Sequence, residues 1–325
     1  MMKVIRAGAL AVAGLAVVAW AAPAQAQKVV RVAYVTSEIS PQAQQSQLFV
    51  KAIEEALPGQ FEFRFFPFGQ LGNEQTTLEL LQLGSLELAN IVTPVVEAHP
   101  KLGVFDLPWL FSDRAHVQKV IDGDFRDEII ETAEAATQVK VLGVYENGFR
   151  HVLSPVEIRE PADMKGLKIR LPGGQLRQDV FRMLGANPTP INWTEVYTAL
   201  ETGVVDGAEA AIYGFYEAKL YQVANKLSLT SHNYAPSFLV ASNAFWSQLT
   251  EEQQRVFIEV GQSITQATFE AAEAEENKAL EEMRVSAQVN EVDFAKFQEA
   301  AAPAYDKYIG QFGTDWIDTI RAGLE

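Results

Sequence analysis

Two arginines, Arg170 and Arg150, have the residue type and setting to bind an anion. Arg170 lies in the run Lys168–Leu171, whose alternation predicts a short strand that ends at Pro172-Gly173-Gly174. An arginine there, beside glycines that cannot crowd a ligand, can hold a carboxylate through two parallel charge-assisted hydrogen bonds. Arg150 follows a second strand-like run. The alternative for both is a structural ion pair or a solvated surface position, since arginines are mostly exposed.

Residue patterns for enzymatic chemistry are scarce. The sequence has no G-x-S-x-G motif, no Walker lysine in a glycine-rich loop, and no metal-binding spacing among its four histidines. Glu201, Asp206 and Glu209 could form a carboxylate cluster, although solvated or capping roles are commoner for such residues. The chain has no cysteine, which excludes disulfides and thiolate chemistry. We therefore predict a binding protein and not an enzyme, with no cofactor and no metal.

Residues 1–26 have the pattern of a secretory signal peptide. Lys3 and Arg6 precede an almost wholly apolar run, and Ala24-Gln25-Ala26 matches a cleavage signal. The run is short for a membrane span, which favours cleavage over retention as an anchor. Without this leader the chain has 24 basic and 42 acidic residues, a formal charge of −18. Nucleic acid and anionic membrane surfaces are therefore unsuitable partners, and an anionic ligand would need local arginines.

The elements that must position these arginines follow an α/β pattern. Strand-like runs at 29–35, 61–67 and 88–92 alternate with amphipathic helical segments. This order is typical of a parallel sheet with helices on its faces. Ligands bind beyond the carboxyl ends of the strands in such sheets, which places Thr36 and Val92 beside a cleft.

Capping signals predict where several helices begin. They are Ser40 with Pro41, Asn73, Asn192 with Glu195, and Thr250 with Gln253. The last of these begins an apolar repeat of three and four residues that continues to about residue 284. An unbroken helix of that length would span about 50 Å, more than one small domain, so we expect it to cross two.

Five longer segments resemble the solute-binding subunits of TRAP transporters (tripartite ATP-independent periplasmic transporters, the DctP-like family). They are FPFGQLGNE at 66–74, LPWLF at 107–111, ENGFRHVLS at 146–154, PADMKGLKIRLPG at 161–173 and PTPINWTEVYTALETGVVDGAE at 188–209. The segments occur in the family's order, and the resemblance covers nearly the whole chain after the leader. Together they are highly specific.

The resemblance implies an α/β, two-domain periplasmic binding protein fold with a long helix that crosses both domains. We expect domain I to comprise residues 27–147 plus 236–275, and domain II to comprise 148–235 plus 276–325. The implied function is capture of an organic acid in the cleft between the domains and delivery to membrane permease subunits, driven by an ion gradient and not by ATP. A soluble ligand sensor or an ABC-type binding protein is the alternative.

The resemblance also assigns roles to individual residues. Arg170 matches the family arginine that makes a two-pronged salt bridge to the ligand carboxylate, and Arg150 matches one that adds a further contact. Trp193 stands where the family usually has a phenylalanine that lies over the ligand; a core aromatic is the alternative. His232 matches a family histidine near the site and its water network.

Several residues differ from the family pattern at positions that would surround the part of the ligand beyond its carboxylate. Ala210 stands where the family has an asparagine that contacts the ligand. Gly173 stands at a position where family members can have a polar side chain. Val92 lies where a sugar-acid binder of this family has an acidic residue, and Tyr213 adds bulk nearby. These substitutions predict a carboxylate ligand with an apolar or aromatic body.

Overall fold

The computed structural model describes residues 27–323, so the predicted signal peptide lies outside the described residues. Within this range the chain forms eleven strands: β1 (Lys28–Ala33), β2 (Phe61–Phe66), β3 (Leu88–Ile91), β4 (Val139–Tyr145), β5 (His151–Ser154), β6 (Lys168–Leu171), β7 (Asn187–Pro190), β8 (Gly207–Ala210), β9 (Lys226–Leu229), β10 (Ser237–Ser242) and β11 (Gln288–Glu291).

The same range contains fourteen α-helices: α1 (Pro41–Ala56), α2 (Glu74–Gln82), α3 (Thr93–Glu97), α4 (Arg114–Ile121), α5 (Phe125–Thr137), α6 (Gln175–Met183), α7 (Val196–Glu201), α8 (Ile212–Glu217), α9 (Asn243–Trp246), α10 (Glu251–Ser263), α11 (Thr265–Ser286), α12 (Phe294–Ala301), α13 (Pro303–Phe312) and α14 (Thr314–Ala322). Short 3-10 helices occur at Pro100–Asp106, Pro161–Met164, Trp193–Glu195 and Leu220–Gln222.

The first sheet has the strand order β2-β1-β3-β10-β4. Strand β1 pairs in parallel with β2 and β3, which confirms the predicted β-α-β-α-β unit. Strand β10 comes from much later in the chain and lies between β3 and β4, antiparallel to both. The carboxyl ends of β1 and β3 therefore lie at one edge of the sheet, where the sequence predicts a cleft.

The second sheet has the order β11-β9-β5-β8-β6-β7. Strand β6, which carries Arg170, pairs in parallel with both β7 and β8. Strands β5, β8, β9 and β11 were not predicted. Their sequences, HVLS, GAEA, KLSL and QVNE, contain at most one β-branched residue each, so the usual strand signal is weak.

Local capping signals are confirmed at three of the four predicted helix starts. The side chains of Ser40, Asn73 and Thr250 each accept a hydrogen bond from a backbone amide of the first turn. Thr250 and Gln253 form the complete reciprocal box. These caps satisfy amides that otherwise have no partner inside a helix.

The predicted long helix is present over residues 251–286 but is interrupted at Ile264. The Thr265 hydroxyl donates to the Gln262 carbonyl at 3.0 Å, and such side-chain bonds compete with the regular helical pattern. The second part, α11, packs on α1 and β4 of the first sheet and on α8 and β11 of the second, so it crosses between them. Within residues 27–323 no helix is both long and apolar enough to span a membrane.

The C-terminal helices join the two halves of the molecule. Helix α12 packs on α6, and α13 packs on α6 and on the segment Pro100–Asp106 beside the first sheet. Trp316 of α14 is buried, and its indole donates to Glu128 of α5 at 2.6 Å. One continuous apolar cluster extends through these contacts.

Candidate ligand-binding site

A cavity of about 150 Å³ lies between the two sheets. Thr36, Val92 and Thr93, which follow strands of the first sheet, line one side of it, and Arg170 and Ala210 of the second sheet line the other. The cavity therefore suits a small ligand that contacts both halves of the molecule.

Arg170 is almost completely buried, with 1% of its surface exposed, and its side chain lines the cavity. Its Nε donates to the Ile191 carbonyl at 2.8 Å, and its guanidinium lies 5.4 Å from the centre of the Trp193 ring. Among residues 27–323 no carboxylate lies within ion-pair distance of Arg170. Burial lowers the pKa of Arg170 to about 9, because desolvation disfavours the charged form.

Arg150 also lines the cavity, but it already has a counter-ion. Its Nε and one Nη donate to the two carboxylate oxygens of Glu209, the latter at 3.0 Å. Burial alone would raise the pKa of Glu209, but the charges of Arg150 and Arg177 together with hydrogen bonding hold it well below its usual value. Arg150 is therefore neutralised within the protein, whereas Arg170 is not.

Trp193, Tyr213, Ala210 and Val92, four of the predicted site residues, all line the cavity. The Tyr213 hydroxyl donates to the Asn147 side-chain oxygen at 2.5 Å, which leaves the aromatic ring as part of the wall. Trp193 lies over Gly214, where a Cβ atom would be 3.1 Å from the indole. An aromatic face and a guanidinium thus border the same space.

The predicted cap at Asn192 is wrong. Asn192 makes no side-chain hydrogen bond to the helix amides; its amide donates instead to the Glu195 carboxylate at 3.2 Å. A 3-10 turn at Trp193–Glu195 precedes the short helix α7. This tight turn, and not a capped helix, positions the Trp193 ring.

Two of the predicted site residues, His232 and Gly173, do not line the cavity. His232 is buried behind Glu209, with its Nε2 3.4 Å from a Glu209 oxygen and its Nδ1 2.8 Å from the Thr230 hydroxyl. Burial lowers the pKa of His232. His232 therefore contacts the partner of Arg150, while a Cβ atom on Gly173 would lie 2.6 Å from Oε1 of Glu97.

Several cavity residues were not predicted from the sequence, and two of these, Glu74 and Glu97, are acidic. Both carboxylate oxygens of Glu74 accept hydrogen bonds from backbone amides, those of Val92 at 3.0 Å and Thr93 at 3.1 Å. Burial raises the pKa of Glu74, although these amides and the two arginines oppose the shift. Glu74 is the last residue of the segment FPFGQLGNE and directly follows the helix cap Asn73. Its place in that segment was the one signal in the sequence that could have identified it.

This arrangement can bind an anion through Arg170 and hydrogen-bonding groups through the opposite wall. Within residues 27–323, no group of three or more histidine, aspartate or glutamate side chains is arranged to hold a metal ion. Two α/β halves with a ligand-sized cavity between them, joined by crossing helices, define a two-lobed solute-binding protein.

The chain belongs to the bacterial extracellular solute-binding protein family 7 (DctP), whose model matches residues 32–311. The 2,3-diketo-L-gulonate-binding periplasmic protein YiaO of Escherichia coli (strain K12) is 34% identical over 256 residues, 78% of this chain and 77% of that protein. The family consists of TRAP transporter solute-binding proteins.

Solved structures with similar folds include two with bound acids. A TRAP periplasmic solute-binding protein from Polaromonas sp. JS666 bound to D-erythronate is 31% identical, with a TM-score of 0.88 over 91% of this chain and 99% of that one. Another, from Sulfurospirillum deleyianum DSM 6946 with bound succinate, is 26% identical, with a TM-score of 0.86 over 92% and 99%.

Proposed function

We propose that this protein binds a small organic acid in the cavity and that Arg170 holds the acid's carboxylate. The buried Arg170 charge, which faces the cavity without a carboxylate partner among the described residues, carries this proposal. A buried cation is costly unless it is paired, and a ligand carboxylate would supply the missing partner. The acids bound by relatives of known structure support the same ligand class.

The wall opposite Arg170 favours a ligand body with hydrogen-bonding groups. Thr36, Thr93, Asn147 and Glu74 all line the cavity, and the Glu74 carboxylate lies at the amide of Val92. Glu74 therefore supplies an acidic group to the cavity, although position 92 has none. We therefore replace the expected apolar or aromatic ligand body with a polar, hydroxylated one.

The two lobes would close around this ligand. The strands of the first sheet fall within residues 27–147 and 236–275, and those of the second fall within 148–235 and 276–325, which supports the predicted division. The helices α13 and α14, however, also pack on first-lobe elements, so the last part of the chain would belong to both lobes. The hinge would lie near Asn147, Tyr234 and α11.

Family membership supports transport over the other roles. The protein would be exported by its leader, bind the acid in the periplasm without chemical conversion, and deliver it to TRAP permease subunits in the membrane. The match to solute-binding protein family 7 favours this role over a soluble sensor or an ABC-type binding protein. Export predicts that periplasmic protein begins at Gln27, which intact-mass analysis can read directly.

A thermal-shift screen of hydroxylated and simple organic acids, followed by calorimetry, tests the binding function. A bound acid at 100 times its Kd should stabilise the protein by about 2.7 kcal/mol. No stabilisation by any acid would contradict the proposal. Uptake into vesicles that contain the cognate permease should then require this protein and an ion gradient, and should continue without ATP.

A further inference from the structure

Two carboxylates, Glu74 and Glu97, line the cavity from the first lobe. The amides of Val92 and Thr93 each donate to one oxygen of Glu74, so the orientation of its carboxylate is fixed. Burial raises the pKa of Glu74, and the two backbone amides oppose that shift by stabilising the charged form. When ionised, Glu74 presents negative charge to the same space that Arg170 borders.

The carboxylate of Glu97 lies beside Gly173. A Cβ atom on Gly173 would lie 2.6 Å from Oε1 of Glu97, too close for any other residue without displacement of that carboxylate. Glu97 is solvent-exposed at the rim of the cavity, and no ion pair to it occurs in the part of the chain that the structure describes. The polar side chain that Gly173 lacks is therefore replaced by a carboxylate from the opposite lobe.

The charges that face the cavity set how many carboxylates a ligand can carry. Arg150 is neutralised by Glu209, so Arg170 is the one arginine lining the cavity that has no carboxylate partner among residues 27–323. A first ligand carboxylate would pair with Arg170. A second would approach Glu74 or Glu97, and the repulsion between like charges would weaken its binding.

We propose that Glu74 and Glu97 make this site selective for acids with a single carboxylate whose remaining polar groups donate hydrogen bonds, such as hydroxyls. When ionised, both carboxylates can accept hydrogen bonds but cannot donate them. Hydroxyl groups of the ligand therefore complement them, and a second ligand carboxylate does not. The inference rests on the proposed binding of organic acids and specifies their charge.

Matched pairs of acids that differ only by a terminal CH₂OH or carboxylate test the selectivity. Suitable pairs are D-erythronate with meso-tartrate, D-galactonate with galactarate, and 4-hydroxybutyrate with succinate, measured by calorimetry at pH 7.5. In every pair that binds, we expect the monocarboxylate to bind at least about tenfold more tightly. A dicarboxylate that binds equally or more tightly would overturn the selectivity. If neither these six acids nor any other acid binds, the proposed function itself is contradicted.

Substitutions test whether these two residues cause the selectivity. Glu97→Gln removes one charge and should narrow the ratio of dissociation constants within a pair by about threefold or more, and Glu74→Gln should act in the same direction. Glu131→Gln, on the exposed surface of α5, is the matched control and should leave the ratio unchanged. If both variants keep the wild-type melting temperature and the wild-type ratio, the assignment of these residues is wrong.

Discussion

Arg170 and Arg150 are both buried arginines that line one cavity, but only Arg150 has a carboxylate partner within the described chain. Arg150 has a two-pronged partner in Glu209, so its charge is balanced within the protein. Arg170 donates to the Ile191 carbonyl but has no carboxylate within ion-pair distance in the described chain. Its burial therefore costs stability in the free protein, and that cost is offset when a ligand carboxylate binds.

Arg150→Ala should destabilise the ligand-free protein, because it leaves Glu209 buried without its counter-ion. Removal of one member of a buried pair costs about 3–5 kcal/mol. Urea unfolding of the variant and of the wild type measures the difference. An Arg150→Ala protein of unchanged stability would show that Glu209 does not need this partner.

Glu217 should make stability depend on pH. Burial raises the pKa of Glu217 to about 7 from its ordinary value of 4.5, while a hydrogen bond from the Ser37 hydroxyl at 2.5 Å opposes the shift. Because the folded-state pKa lies above the unfolded one, the folded protein binds the proton more tightly. The stabilisation is therefore complete below about pH 4.5 and is lost as the pH rises through about 7.

Glu217→Gln keeps an acceptor for Ser37 and removes the titration. We expect a melting temperature about 1–3 °C higher at pH 8 and a flatter dependence on pH between about 5 and 7. Differential scanning calorimetry at several pH values measures both. Glu281→Gln, exposed on α11, should behave like the wild type; an unchanged pH slope in Glu217→Gln would assign the dependence to other groups.

At the scale of elements, the sequence predicts what local signals determine and misses what strand register determines. The caps at Ser40 and Thr250 were predictable because their partners lie within three residues. The Arg150–Glu209 pair was not, because it depends on the register of β5 against β8, in which His151 faces Ala210. Glu74 and Glu97 were missed for the same kind of reason: nothing local shows that their carboxylates face a cavity.

The contact between α10 and β4 depends on Gly261. A Cβ atom there would lie 2.0 Å from the Leu142 carbonyl oxygen, which belongs to backbone and cannot move aside easily. Gly261→Ala should therefore destabilise the fold by about 1–3 kcal/mol, typical of overpacking, despite the better helix propensity of alanine.

Gly310→Ala is the control, since a Cβ atom on Gly310, which lies in α13, would enter open space. Alanine there should be neutral or stabilise by up to about 1 kcal/mol. Chemical denaturation of the two variants measures the contrast. Equal stability of both would mean that the helix can shift away from β4 at little cost.

On the scale of the whole molecule, the two lobes touch at the mouth of the cleft. Ser37 of the first lobe donates to Glu217 of the second, and Gly69 lies so close to Thr194 that a Cβ atom would be 2.8 Å from its methyl group. The described conformation is therefore closed. A ligand that contacts both lobes should shift the population toward this form.

Small-angle scattering measures this closure directly. An acid that binds in calorimetry should lower the radius of gyration, because hinge closure brings the lobes together. A non-binding acid at the same concentration is the control. A radius that stays the same on saturation would contradict the hinge between the lobes.

The central claim is that Arg170 anchors the carboxylate of an organic acid, and calorimetry on Arg170 variants tests it most directly. Arg170→Ala should weaken binding by about 2–5 kcal/mol, the effect of truncating one partner of a buried charge pair. That corresponds to a Kd roughly 30- to 3,000-fold higher. Arg170→Lys should recover only part of the affinity, because an ammonium lacks the planar fork.

The melting temperature of ligand-free Arg170→Ala separates an anchor from a structural arginine. The account predicts a melting temperature close to that of the wild type, together with the large loss of affinity, because the variant removes an unpaired buried charge but also loses the hydrogen bond to the Ile191 carbonyl. An Arg170→Ala protein that binds the acid with wild-type affinity would contradict the account.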